Sequence, residues 1–109
     1  MVVATLAFVV VVCAPGFAQD AAKIERGKAV YAEQKCSLCH SIGDVGNKKG
    51  PLDGVGGKLS AADIKAWMID PKGMTEKTKA TRKPPMKAYP TLKAEDADAL
   101  VAYIQSLKK

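Results

Sequence analysis

Three stretches of this chain carry apolar residues at a helical period. Over 94–108, Ala97, Leu100, Val101, Ile104 and Leu107 fall at i, i+3, i+4, i+7 and i+10, one continuous apolar face. Glu95, Asp96 and Asp98 in its first turns, and Lys108 and Lys109 at its end, suit the helix macrodipole. Over 20–34, Ile24, Gly27 and Tyr31 share a face, with Asp20 as the expected N-cap. A glycine inside a helix costs about 1 kcal/mol against alanine. The expected use of Gly27 is close approach of a second helix. Over 59–70, Ser60 is the expected N-cap, with Asp63 at N3 and a staple between Leu59 and Ile64. Ile64, Trp67 and Met68 form its apolar face, and Pro71 is its stop.

The stretches between break that period. Residues 41–58 carry Gly43, Gly46, Gly50, Pro51, Gly54, Gly56 and Gly57 and read as a loop. Residues 72–83 set Lys72, Lys77, Lys79, Arg82 and Lys83 against Glu76 alone and read as an exposed connection. Lys83-Pro84-Pro85-Met86 follows, where two prolines favour a stiff, extended backbone that holds Met86 in place without a helix. No strand pattern stands out. The expectation is an all-α domain of three main helices and long loops.

The N-terminal segment has a different pattern. Residues 2–14 are apolar except Thr5, and small residues Gly16 and Ala18 suit cleavage before Gln19. The reading is a signal peptide over 1–18 and a mature domain over 19–109, hence export to the periplasm or an equivalent compartment. No Lys or Arg precedes the apolar run. The run is short for a bilayer span, so no stable membrane anchor is expected. Val12 precedes Cys13, which argues against a lipid-modified cysteine.

With 109 residues and a formal charge of +6, the chain suits one small, basic domain, expected to be a monomer. A chain this short builds a marginal apolar core unless something large and apolar fills its centre. The charge points to acidic partners. It does not point to nucleic acid, because no recognition motif accompanies it.

Cys36-Ser37-Leu38-Cys39-His40 supplies the chemistry. Two cysteines three apart, followed at once by a histidine, form the attachment motif for c-type haem. Residues i and i+3 of a helical turn share a face, so two thiols there can reach the vinyl groups on one edge of a porphyrin. His40, the one histidine of the chain, then faces the iron. A thioredoxin-like pair would need a βαβ context, and a zinc site would need four ligands. A haem-ligating His usually donates its other ring N–H to a carbonyl, and Pro51 is the candidate acceptor. Trp67 belongs to the core by position. Buried there, its indole N–H needs an acceptor, for which a haem propionate is a candidate. The second axial ligand cannot be another histidine, since none exists, and the candidates to weigh are the methionines. Met68 is explained by core packing, and Met74 lies in the polar connection. The proline-restrained Met86 is favoured over Met74.

These residues resemble the class I c-type cytochromes, small single-haem electron carriers, over nearly all of 20–109. Gly27-x-x-x-Tyr31 resembles the N-terminal helix signature of that family, and Leu100-Val101-Ala102-Tyr103-Ile104 its C-terminal helix. Gly50-Pro51-Leu52-Asp53-Gly54-Val55 resembles its GPxLxGV loop, one residue short between Pro51 and Leu52. Met86-Lys87-Ala88-Tyr89-Pro90-Thr91-Leu92 resembles its MPxFPxL segment, with Lys87 in place of the first of the two prolines.

The resemblance implies the class I fold, helices and loops wrapped around one covalent haem c on Cys36 and Cys39. It implies His40 and Met86 on the iron, the Pro51 carbonyl on His40, and a haem contact from Tyr89. The function implied is single-electron transfer between redox partners. Lys35, Lys48, Lys49, Lys83 and Lys87 flank the haem-binding segments and are the candidate rim for acidic partners. The rivals are an open-site haem enzyme or sensor, and an electron-accepting subunit of a dehydrogenase.

Overall fold

Two helices crossing at a glycine organise the molecule. The computed structural model describes residues 15–109, so residues 1–14 of the expected leader lie outside the described residues. Helix α1 (Pro15–Glu33) meets helix α4 (Ala94–Gln105) at Gly27. A Cβ on Gly27 would run into the carbonyl oxygen of Ala99 and lie 2.6 Å from the Cβ of Tyr103. One turn on, Tyr31 meets Tyr103 edge to face, with ring centroids 5.7 Å apart at 83°. The close approach expected of Gly27 is what the fold uses it for. Burial also shuts the Tyr31 hydroxyl away from any partner among the described residues and pushes its pKa up to about 12. At the edge of the crossing, Arg26 grips Asp96 with two hydrogen bonds, from Nε at 2.9 Å and from Nη2 at 3.1 Å. Asp20, expected as a cap, lies inside α1 and caps nothing.

Helix α2 (Ala61–Ile69) packs on α4 and follows its sequence signals. The Ser60 hydroxyl accepts from the Asp63 N–H at 3.1 Å, as the cap pattern requires. The apolar faces of α1, α2 and α4 close on Val30, Ile64, Met68, Leu100, Val101 and Ile104. Leu59 and Leu92 pack against that cluster from the flanking loops.

Other expectations fail as well. Residues 72–83 are not simply an exposed connection, because helix α3 (Pro71–Thr78) occupies most of them. Pro71 ends α2 and also begins α3. Its fixed φ suits the first helical position, and the Asp70 carboxylate accepts from the Gly73 N–H at 3.1 Å. The lysines face solvent while Pro71 and Met74, three apart, are buried. The composition hid that short buried face. The glycine loop also holds a small hairpin, β1 (Ser41–Ile42) against β2 (Val45–Gly46), with Ser41 opposite Gly46 and Ile42 opposite Val45. Strands of two residues are too short to show a period in sequence. The last helix ends at Gln105, short of the expected 108.

Candidate functional site

The cysteine motif sits where α1 stops. Lys35 turns left-handed at φ 55° and leads into a 3-10 turn over Cys36–Leu38. In 3-10 geometry i and i+3 eclipse, which stacks Cys36 and Cys39 on one side of the turn. The Cys39 N–H donates to the Cys36 carbonyl at 3.1 Å, and the His40 N–H to the same oxygen at 3.0 Å. Both thiols are free, Cys36 half-buried and Cys39 exposed. Burial pushes the Cys36 thiol up, against a smaller downward pull from the Lys87 ammonium.

His40 is half-buried, and its Nδ1 lies 3.0 Å from the carbonyl oxygen of Gly50. A carbonyl only accepts, so the ring carries its hydrogen on Nδ1 and keeps the lone pair of Nε2 free. Burial holds the imidazole below its ordinary range, the hydrogen bond to Gly50 opposes this, and the charge of Arg82 adds to it. The acceptor is therefore Gly50, not the expected Pro51. The reason is the parallel bridge between Ser41 and Pro51. The Ser41 N–H donates to the Gly50 carbonyl at 3.1 Å, and the Leu52 N–H donates to the Ser41 carbonyl at 2.8 Å. In a parallel ladder the residues on either side of the bridging one supply the bonds. Gly50 thus turns its oxygen toward His40 and Ser41, while Pro51 itself is exposed.

Backbone bonds hold this loop. The Asn47 N–H meets the carbonyls of Ser37 and His40, each at 3.0 Å, and its side-chain amide donates to the Leu38 carbonyl at 3.1 Å. The Arg82 guanidinium lies against Gly50, together with the Cys39 carbonyl, in the space a Cβ would fill. Gly50, Asn47 and Arg82 are site residues that the sequence reading did not assign. No motif marks the latter two, and Gly50 had been read through its neighbour.

The segment around Met86 runs beside the motif. Burial pushes the Tyr89 phenol up and the two cysteines add to that shift, while Lys87 acts on Cys36. Lys87 Nζ stands 5.3 Å from the Tyr89 ring centroid. The Tyr89 N–H donates to the Met68 carbonyl at 2.9 Å, which ties the segment to the end of α2. Met86 is half-buried against the core cluster. Met68, at 5% exposure, and Met74, at 8%, are buried within helices. Met74 is thus restrained by α3, contrary to the expectation of a loose residue. Trp67 is half-buried on α2, outside the central cluster. The five flanking lysines are all exposed, and Lys48 lies 3.8 Å from Asp44. The surface grooves lined by Lys23, Lys65, Asp98 and Gln105, along α1 and α4, involve none of the motif.

The turn presents two free thiols and an imidazole whose Nε2 lone pair is available, and the segment that carries Tyr89 runs beside it. The chain belongs to the cytochrome c family, whose sequence model matches residues 24–108. It is 33% identical over 92 residues to cytochrome c oxidase subunit 2 of Alkalihalophilus pseudofirmus. That match takes in 76% of this chain and 25% of the relative, so the chain spans about a quarter of that protein's length. No solved structure matches the chain. The four helices of the described residues agree with the all-α cytochrome c fold. The cofactor of this family is covalently attached haem c, its work is haem-based electron transfer, and redox partners follow from that work. Among the described residues no helix is long and apolar enough to cross a membrane.

Proposed function

We propose that this chain is an exported monohaem cytochrome that carries single electrons between redox proteins, with His40 and Met86 as the axial ligands. The observation that carries this reading is the hydrogen bond from His40 Nδ1 to Gly50, which fixes the tautomer and aims the ligand. A bound haem would supply a one-electron Fe(III)/Fe(II) couple. Cys36 and Cys39 hold the ring through thioethers, and the eclipsed turn sets their spacing. Met86 would hold the metal from a segment stiffened by Pro84 and Pro85. A thioether is a weak, soft ligand that favours the reduced metal, so it must be held in place to exclude water. The tie from Tyr89 to Met68 supplies part of that restraint. The apolar run over 2–14 with Gly16 and Ala18 supports export and cleavage before Gln19. The exposed lysines support brief docking to acidic surfaces.

The test is a pair of variants. Met86→Ala should abolish the sulfur-to-iron charge-transfer band, lower the potential and let carbon monoxide bind. Met74→Ala should keep all three properties and lose about 2–5 kcal/mol of stability, because it empties a buried helix position. The reverse pattern would make Met74 the ligand. Loss of the band in neither variant would return the open-site reading. The similarity to an oxidase subunit favours a second reading, an electron-entry domain of a terminal oxidase. Co-purification with an oxidase at fixed stoichiometry would select it.

A further inference from the structure

The proximal loop holds a cation that the proposed reading leaves without a task. Arg82 comes from the irregular segment between α3 and Met86, yet its guanidinium turns in onto Gly50. A Cβ on Gly50 would meet the guanidinium carbon of Arg82 at 2.9 Å, with the guanidinium nitrogen and the Cys39 carbonyl closer still. The same Gly50 peptide carries the carbonyl that accepts from His40 Nδ1 at 3.0 Å and from the Ser41 N–H at 3.1 Å. Only glycine leaves room for that packing.

We propose that Arg82 is a positioning residue that raises the reduction potential of the haem centre by laying its charge on the Gly50 peptide. The inference rests on His40 being the proximal ligand. Two effects follow, and they have the same sign. A cation next to the proximal side disfavours the oxidised centre, which carries one more positive charge than the reduced one, and exposure to solvent reduces the effect without reversing its sign. The cation also polarises the Gly50 carbonyl toward itself and weakens it as an acceptor. A weaker acceptor makes the imidazole less basic and so less able to support the oxidised metal. Guanidinium keeps its charge at every working pH, so the effect is constant. The neighbouring Lys83 is the control: both side chains are exposed, but only the Arg82 guanidinium lies against Gly50.

The experiment compares the haem-loaded wild type with Arg82→Gln, Arg82→Lys and Lys83→Gln. The readouts are the midpoint potential and the proton resonance of the His40 ring N–H in the reduced state. Arg82→Gln should lower the potential by several times the shift of Lys83→Gln and move the ring N–H resonance downfield, the mark of a stronger hydrogen bond. Arg82→Lys should fall between wild type and Arg82→Gln, because it keeps the charge and loses the planar fork. An Arg82→Gln shift no larger than that of Lys83→Gln, or an unmoved ring N–H, overturns the proposal. Should Arg82→Gln fail to fold, an Arg82→Lys potential equal to wild type with an unmoved ring N–H overturns it as well. A wild type without the charge-transfer band would instead sink the His40/Met86 reading, and the two failures are thereby told apart.

Discussion

The α1–α4 crossing and the 41–52 loop are held together by different means. The crossing is side-chain packing: Gly27 against Ala99 and Tyr103, Val30 with no exposure at all, and one aromatic pair. Its polar groups lie at its rim, as in the Arg26–Asp96 grip, or without a partner, as in the Tyr31 hydroxyl. The loop has one buried side chain, Ser41, and is held by backbone hydrogen bonds to Gly50, Leu52 and Asn47. Packing is cooperative and fails as a unit. A network of exposed backbone bonds opens locally at low cost. The crossing therefore sets global stability, while the loop sets the orientation of His40.

The sharpest way to break this contrast is Gly27→Ala. The new methyl group meets the Ala99 carbonyl, which belongs to the backbone of α4 and cannot rotate aside. Overpacking of this kind typically costs 1–3 kcal/mol, and a backbone obstacle puts the loss near the upper end, about 3 kcal/mol. Denaturant unfolding of the haem-loaded protein measures it. A loss under about 0.5 kcal/mol, the range of surface substitutions, would mean that the helices slide apart freely and that the crossing is not the keystone.

Asn47→Ala probes the loop. It removes the side-chain bond to the Leu38 carbonyl at 3.1 Å and the acceptance from the Lys49 N–H at 3.0 Å, and leaves the backbone bonds of Asn47 in place. A net loss of about 1 kcal/mol is expected. It should appear first as faster amide exchange at Ser41 and Asn47, with exchange in α4 unchanged. Equal acceleration in both regions would show one cooperative unit and erase the distinction.

The two regions also differ in how far the sequence revealed them. Gly27, Tyr31 and the apolar stripe from Ala97 to Leu107 announced the crossing, because helix packing is written in a period that sequence displays. The cysteine spacing likewise announced the attachment turn. The acceptor for His40 was read one residue late. Which carbonyl faces the imidazole depends on the register of a single parallel bridge, and no side chain records that register. Arg82 on Gly50 is a contact across 32 positions, seen from sequence only as one more charge in a basic run. Helix α3 was missed for a related reason: two buried residues, Pro71 and Met74, are too few to show a face. Asp20 was misread as a cap because a capping residue type inside a longer helix looks the same in sequence as one at its start.

The smallest expected effect concerns the rim of the crossing. The two hydrogen bonds from Arg26 hold the Asp96 carboxyl below its usual range, chiefly by hydrogen bonding and further by charge, against a smaller opposing effect of burial. The Asp96 side chain keeps 21% of its exposure and that of Arg26 47%, so solvent and salt screen the pair. A depressed carboxyl contributes stability that is present above the unfolded-state value, about 4, and is lost as pH falls through the lower folded-state value. Asp96→Asn keeps the shape and removes the charge. At neutral pH and low salt the variant should be slightly less stable than wild type, partly because Asp96 also lies in the first turn of α4, where a negative charge suits the macrodipole. The gap should narrow as salt rises. It should close as pH drops well below 4, where the wild-type carboxyl is itself neutral. Unfolding curves at neutral and acid pH, each at two salt concentrations, measure it. A gap that survives at low pH would assign Asp96 a packing role, and no gap anywhere would leave the crossing to Gly27 and its apolar neighbours alone.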